Sequence, residues 1–198
     1  MKPDFQISFT KAIQSEGFIS NNPADKGGFT YKGISMVKHP FWSGWKIIDS
    51  ILSSHSTQQS GTELVEVLNN TELQNEVQNF YRSVFWNKIQ GDLLQQQIIA
   101  DEVFECSINL GVKVASENLQ RTLNLLNRNS KLYPDIFVDG IIGSQTLETL
   151  KKSISVNGEQ LVFNMLNYYQ AKRYIEIMEC DYTQKIFIGW FNRIEIIK

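Results

Sequence analysis

Residues 15–35 read SEGFISNNPADKGGFTYKGIS. Two acids and a hydroxyl, Glu16, Asp25 and Thr30, are strung through turn-forming residues: Asn21, Asn22 and Pro23, then Gly27 and Gly28, with Gly33 closing the stretch. A chain that only had to reverse direction would not need so long a polar loop with so little side-chain bulk. The loop is shaped to approach something.

Before it, Phe5, Phe9, Ala12 and Ile13 recur at helical spacing, which predicts a helix over about residues 4–15 that Gly17 can end. Glu16 then lies at the negative end of the helix dipole, where a carboxylate is disfavoured. The dipole supplies only ~0.3–1 kcal/mol, so burial in a cleft against Phe18 or Phe29 has to supply the rest of any protonation near neutrality. A carboxylic acid that keeps its proton is what a glycosidase needs to protonate a leaving oxygen, and Asp25, on a polar loop, would stay ionised to hold a water or stabilise positive charge. On the residues alone a plainer reading stays open, in which Glu16 merely terminates a helix and Asp25 stabilises an Asx-type turn.

The chain has 198 residues, enough for one domain or one domain with a small appended lobe. Hydrophobic residues at 42% and charged ones at 20% describe a globular protein rather than a disordered one, and a net charge of −2 argues against a nucleic-acid binder. His39 and His55 have no third ligand at zinc spacing, so neither a zinc amidase nor any other metal site is expected, and no cofactor is implied. Cys106 and Cys180 are expected as two buried free thiols rather than a disulfide. The opening MKPDFQISFTKAIQ lacks the pattern of an export signal, and no segment is apolar enough to span a membrane. The expectation is synthesis in the cytoplasm and no stable membrane insertion.

Further along, FWSGWKIIDSIL at 41–52 predicts a helix over about 44–53, with Trp42 and Trp45 either stacking on sugar or packing in the core. Polar residues 53–62 read as a surface loop. Thr71 is expected to cap a helix carrying Val77, Phe80, Tyr81, Val84 and Phe85, and Asp92 to cap the central buried helix carrying Ile98, Ile99, Val103, Phe104 and Ile108. In that helix Glu105 either supports a cleft or pairs with an arginine such as Arg82 or Arg121. Asn109 either contacts sugar or water or caps the helix end before Gly111. Asp139-Gly140 permits a tight turn, and Ser144 is expected to cap a helix over about 145–152. Residues 161–178 and 187–197 read as two amphipathic helices, with Trp190 packing the last onto the core and Arg193 pairing with an internal acid.

The pattern Glu16-Gly17, Asn21, Pro23, Asp25, Gly27-Gly28, Thr30 and Gly33-Ile34 resembles the signature of the glycoside hydrolase family 108 muramidases. That family usually has two glycines after the glutamate, whereas Phe18 follows Gly17 here, a departure that bears on the shape of the turn while the spacing to Asp25 is kept. The runs FYRSVFWNKI, VFECSINLG and FIGWFNRIEII are similar to later family segments. Leu119, Gln120, Leu123 and Leu126, with Asp139-Gly140, Gly143, Thr146 and Leu147, resemble a small peptidoglycan-binding lobe, the alternative being a plain helical hairpin.

The resemblance implies a mainly α protein: a lysozyme-like helical domain with a small irregular or β loop region after the first helix. It implies a catalytic domain at 1–111 and a helical peptidoglycan-binding lobe at 112–198, packed as one compact unit. By the same resemblance Glu16 is the general acid, Asp25 and Thr30 position the attacking water, and Tyr31, Trp42, Glu105 and Asn109 are the expected substrate contacts. The implied reaction is hydrolysis of the β-1,4 bond between N-acetylmuramic acid and N-acetylglucosamine in bacterial peptidoglycan. A monomer is expected, released by a holin or export channel to act at the cell wall or periplasm. The rival readings are a lytic transglycosylase and a non-catalytic wall-binding or secretion-assisting protein.

Overall fold

The helical spacing of Phe5, Phe9 and Ala12 produces α1 (Phe5–Gln14) in a computed structural model that describes residues 2–14, 19–20, 29–54 and 68–197, with the backbone alone at 19–20. Three two-residue strands follow, β1 (Ile19–Ser20), β2 (Thr30–Tyr31) and β3 (Ile34–Ser35), then α2 (Gly44–Ser54) and α3 (Thr71–Tyr81). A π-helical turn (Arg82–Trp86) and a short 3-10 turn (Gly91–Leu93) lead to α4 (Gln97–Leu110), α5 (Val112–Leu126), α6 (Ser144–Asn157) and α7 (Glu159–Cys180), and a 3-10 segment (Tyr182–Arg193) comes last. The chain is mainly α, a lysozyme-like fold with a small β region after the first helix.

Backbone packing divides the chain into residues 9–84 and residues 1–8 with 85–198. In the first unit β2 is central in an antiparallel sheet of order β1-β2-β3, and α2 packs on α3. Leu73, Val77, Phe80 and Tyr81 give α3 one buried face at helical spacing. Its cap is Asn70, whose side chain accepts from the Leu73 N–H at 3.0 Å. The expected cap, Thr71, is the first helical residue; either side chain can cap, so the choice is a one-residue register that sequence pattern does not resolve.

In the second unit α4, α5 and α7 pack on one another and α6 packs on α5 and α7. Trp86 and Phe104 are fully buried, and Phe5 meets both rings edge-on at 5.6 and 6.0 Å. Asp92 does not cap α4: its carboxylate accepts from the Trp86 indole N–H at 3.0 Å, and α4 begins at Gln97 without a side-chain cap. A buried indole must place its N–H, and Asp92 serves that need. Cys106 is buried and free as expected; burial first, then the Glu102 carboxylate, push its thiol pKa up and keep it protonated. Cys180, also free, is exposed rather than buried, because it falls at the end of α7 beyond the last buried residue, Met178.

The turn after α5 is held by Gln120, which is almost wholly buried. Its amide oxygen accepts from the Gly140 N–H at 2.9 Å, and its NH2 group donates to Asp139 Oδ1 at 2.8 Å and to the Ile141 carbonyl at 3.0 Å, with Thr146 Oγ1 at 3.4 Å. Gly140 has φ +76°, and a Cβ there would lie 2.7 Å from Lys113 Cγ, so glycine is required on both counts. The following helix is longer than expected, and its cap position is Gly143 rather than Ser144, which is already helical.

The C-terminal stretch departs from expectation. Residues 182–193 are 3-10 rather than α-helical, with a kink at Phe187 (φ −92°, ψ 27°), and residues 194–197 leave the helix. Apolar residues three apart, Phe187 with Trp190 and Ile188 with Phe191 and Ile194, satisfy a 3-10 period as well as an α one. The tail is tied to α7: Asn167 Oδ1 accepts from the Glu195 N–H at 2.8 Å, and Asn164 accepts from the Ile197 N–H at 2.9 Å while donating to its carbonyl at 2.7 Å.

Candidate active site

Thr30 and its neighbours form a tight hairpin. Thr30 pairs with Ser35 and Tyr31 with Ile34, leaving Lys32 and Gly33 as a two-residue turn with φ +44° and +78°. Two successive positive φ values define the type I′ turn that matches the twist of antiparallel strands, and glycine at the second position removes half its strain. The Met36 N–H donates to the Phe29 carbonyl at 2.9 Å and extends the ladder. Tyr31 and Ile34 have no exposed surface, and because strand residues alternate, Thr30 occupies the other face and is half-buried.

Side chains of α3 hold this hairpin in place. The Tyr31 hydroxyl donates to the Leu68 carbonyl at 2.8 Å and accepts from the Gln74 NH2 group at 2.9 Å. The Lys32 ammonium donates to Gln74 Oε1, and the Tyr81 hydroxyl donates to the Lys32 carbonyl at 2.8 Å. Burial raises the Tyr31 pKa, the Gln74 bond opposing it, and burial lowers that of Lys32. Tyr31 was expected at the sugar. Its ring and hydroxyl are instead enclosed, so its contribution is to fix the strand that carries Thr30.

The two tryptophans of the next segment separate. Trp45 is buried, with its indole N–H donating to the His39 carbonyl at 2.7 Å, whereas Trp42 keeps part of its surface. Trp42 stacks on Tyr31 with centroids 6.3 Å apart and 19° between planes, and meets Trp45 edge-on at 4.8 Å. A Cβ on Gly44 would lie 2.3 Å from the Trp42 ring, so glycine at the start of α2 is what lets the indole lie over it. Phe41, just before it, is 97% exposed. Phe41 stands four and seven residues before Trp45 and Ile48, in phase with the apolar run, but it precedes the helix that begins at Gly44, so that spacing buries it on no helix face. The His39 ring lies edge-on to Phe80 at 4.7 Å, and burial with Lys38 nearby lowers its pKa.

Glu16 and Asp25 lie outside the described residues. In sequence Glu16 comes two residues after the end of α1, and Asp25 falls between β1 and β2. Thr30 and Trp42 belong to the unit of residues 9–84, whereas Glu105 and Asn109 lie in the other, on one face of α4 four residues apart. Asn109 Oδ1 accepts from the Arg193 guanidinium, and its NH2 group faces no acceptor among the described residues. It lines a small cavity of about 120 Å³ with Leu110, Tyr174, Ile177 and Trp190, room for about four waters. Asn109, expected at the sugar, is thus turned toward the C-terminal segment. Arg193, expected to meet an acid, has this amide oxygen as a partner. Among the described residues no group of three or more His, Cys, Asp or Glu is placed to hold a metal ion, and no helix is long and apolar enough to cross a membrane.

Comparison with known proteins adds to this geometry. Residues 9–111, more than half of the chain, match the family Glycosyl hydrolase 108, and residues 114–195 match a family described as a predicted peptidoglycan domain. No curated protein matches the chain. The solved structure of SagA from Brucella abortus is similar in fold, with a TM-score of 0.61 and 20% identity, covering 96% of this chain and 88% of that one.

Proposed function

Because the chain belongs to the glycosyl hydrolase 108 family, a family of glycosidases, and carries a peptidoglycan domain, we propose that this peptidoglycan hydrolase is a muramidase that cleaves the β-1,4 bond between N-acetylmuramic acid and N-acetylglucosamine. Glu16 protonates the bridging oxygen as the oxocarbenium-like state develops. Asp25 and Thr30 position the water that completes hydrolysis. The reading is supported above all by the family match over 9–111, which contains Glu16, Asp25 and Thr30 in the order and spacing of the motif.

Thr30 sits on the central strand of a hairpin pinned on the far side by Tyr31, Gln74 and Tyr81, which suits a hydroxyl that has to hold a water in one place. Phe41 and Trp42 offer aromatic surface for a sugar ring, Phe41 by its exposure and Trp42 by the part of its indole that remains uncovered. Carboxyl separation decides the stereochemistry: ~6.5–9.5 Å between Glu16 and Asp25 leaves room for a directly attacking water, and ~5–5.5 Å makes Asp25 the nucleophile. The protein is made in the cytoplasm, acts as a monomer, and reaches the wall through a holin or export channel.

The test is clearance of purified wall by wild type and by Glu16→Gln. Loss of the general acid should slow clearing by about 10²–10⁴-fold with the circular dichroism spectrum unchanged. Mass spectrometry of the products separates the rivals: a reducing muramic end supports hydrolysis, an anhydro end would make the enzyme a transglycosylase. Sedimentation with wall but no clearing by wild type would leave only a binding role.

A further inference from the structure

Between α5 and α7 lies an open groove of about 440 Å³ whose lining is unlike the apolar seams elsewhere in this unit. Arg121, Lys172 and Arg173 line it together with Glu117 and Glu176, and Tyr169 supplies an aromatic wall. Three cations against two carboxylates leave an excess positive charge. The pairs among them are loose: Arg121 to Glu117 at 3.7 Å, Lys172 to Glu176 at 3.7 Å and Arg173 to Glu176 at 3.3 Å. A guanidinium has five N–H donors in a planar fork suited to a carboxylate, and one long contact uses little of that capacity. Exposed pairs of this kind contribute little to stability and are easily exchanged for a better partner.

We propose that this groove binds the peptide stem of peptidoglycan, a short peptide bearing several carboxylates and a free amine. Arg121 and Lys172 face its carboxylates from opposite helices, Glu176 takes its amine, and Tyr169 packs on the peptide backbone. The proposal rests on the reading that this chain acts on peptidoglycan, and it assigns the peptide, rather than the glycan, to the 114–195 region. A sugar offers hydroxyls and ring faces but little charge; a lining with five charged side chains and one aromatic ring matches a zwitterionic peptide better. Arg121 and Lys172 have half or more of their side-chain surface exposed, so both are reachable from solvent and replaceable without disturbing the core.

The experiment is calorimetric titration of the full chain with the synthetic tripeptide L-alanyl-γ-D-glutamyl-L-lysine, and with its diaminopimelate counterpart. One-site binding that weakens as salt is raised is expected, with affinity lowered about tenfold or more in the Arg121→Ala, Lys172→Ala double variant. Lys113→Ala, which removes a partner of Glu117 from outside the groove, should bind as wild type does. The rate on peptide-bearing wall divided by the rate on peptide-free glycan strands should fall in the double variant. Absence of tripeptide binding by wild type, or equal binding by the double variant, overturns the proposal. Saturation of the groove by a peptide-free chitooligosaccharide instead overturns it in favour of a glycan site. If wild type binds tripeptide yet cleaves no glycan strand, the muramidase reading fails while the peptide site stands.

Discussion

Gln74 and Gln120 each reach out of a helix to hold a glycine-bearing turn, Lys32-Gly33 in one unit and Asp139-Gly140 in the other, yet they grip different groups. Gln120 bonds to the backbone of its turn, taking the Gly140 N–H and giving to the Ile141 carbonyl, and it is sealed from solvent. Gln74 bonds mainly to side chains of its hairpin, the Tyr31 hydroxyl and the Lys32 ammonium, with the Leu68 carbonyl farther off at 3.3 Å, and remains half-buried. A buried amide with its capacity engaged on the backbone of the turn and on the Asp139 carboxylate fixes a conformation, because each lost bond leaves a polar group of the turn unsatisfied. A side-chain clamp at the edge of solvent fixes a position and can be loosened without unfolding. The first arrangement suits a scaffold, the second a strand that carries the hydroxyl proposed to hold the attacking water.

This contrast breaks or holds at three places. Gln120→Ala should cost most in stability, about 2–4 kcal/mol, since it strands the Gly140 N–H and the Ile141 carbonyl. A urea midpoint unchanged from wild type would show that the turn holds itself. Gln74→Ala should cost about 1 kcal/mol, because the Tyr31 hydroxyl keeps its bond to the Leu68 carbonyl. Its larger effect should fall on turnover, with wall clearing reduced severalfold at unchanged wall binding; equal losses of stability in the two variants would erase the distinction.

The smallest effect is on pH dependence. The Gln120 amide first, and the Ile141 N–H second, hold the exposed Asp139 carboxyl below its ordinary value of 3.8. A depressed folded-state pKa means that this stabilisation is present above about pH 4 and is lost as pH falls through the folded value. Asp139→Asn should therefore flatten the acid limb of a stability profile measured from about pH 6 to about pH 2, and a limb as steep as that of wild type would count against the ionised Asp139 contact.

Much of the scaffold was legible because apolar period and burial coincide. Phe5 and Phe9, Trp45 and Ile48, Val77 and Phe80, and Ile99, Val103 and Phe104 all mark helix faces that are buried. The Gln120, Asp139-Gly140 and Thr146 grouping was legible through resemblance, since residues twenty apart meet only in the folded turn. Helix starts were less so, because Asn70 and Thr71 are equally good caps and Asp92 was drawn to an indole N–H. At the candidate site, Thr30 and Tyr31 were both expected to serve the substrate. Adjacent residues of a strand point to opposite faces, so once this pair lies on β2 only one of them can. The partner of Asn109 was illegible for a different reason: Arg193 lies 84 residues away, and no local pattern carries such a contact.

An asparagine amide presents the same donor and acceptor, at nearly the same spacing, as a peptide unit. With Asn164 and Asn167 one turn apart on α7, the helix offers residues 195–197 one full surrogate peptide group, Asn164, and one further acceptor, Asn167 Oδ1, in place of a neighbouring strand. An extended segment is thereby zipped along a helix, a surface that ordinarily has no free backbone to lend. Replacing the Asn164 amide by a carboxylate would set acceptor against acceptor at the Ile197 carbonyl and peel that segment away, whereas a carboxylate at Asn167, whose NH2 group donates to the Phe163 carbonyl, would still accept from the Glu195 N–H.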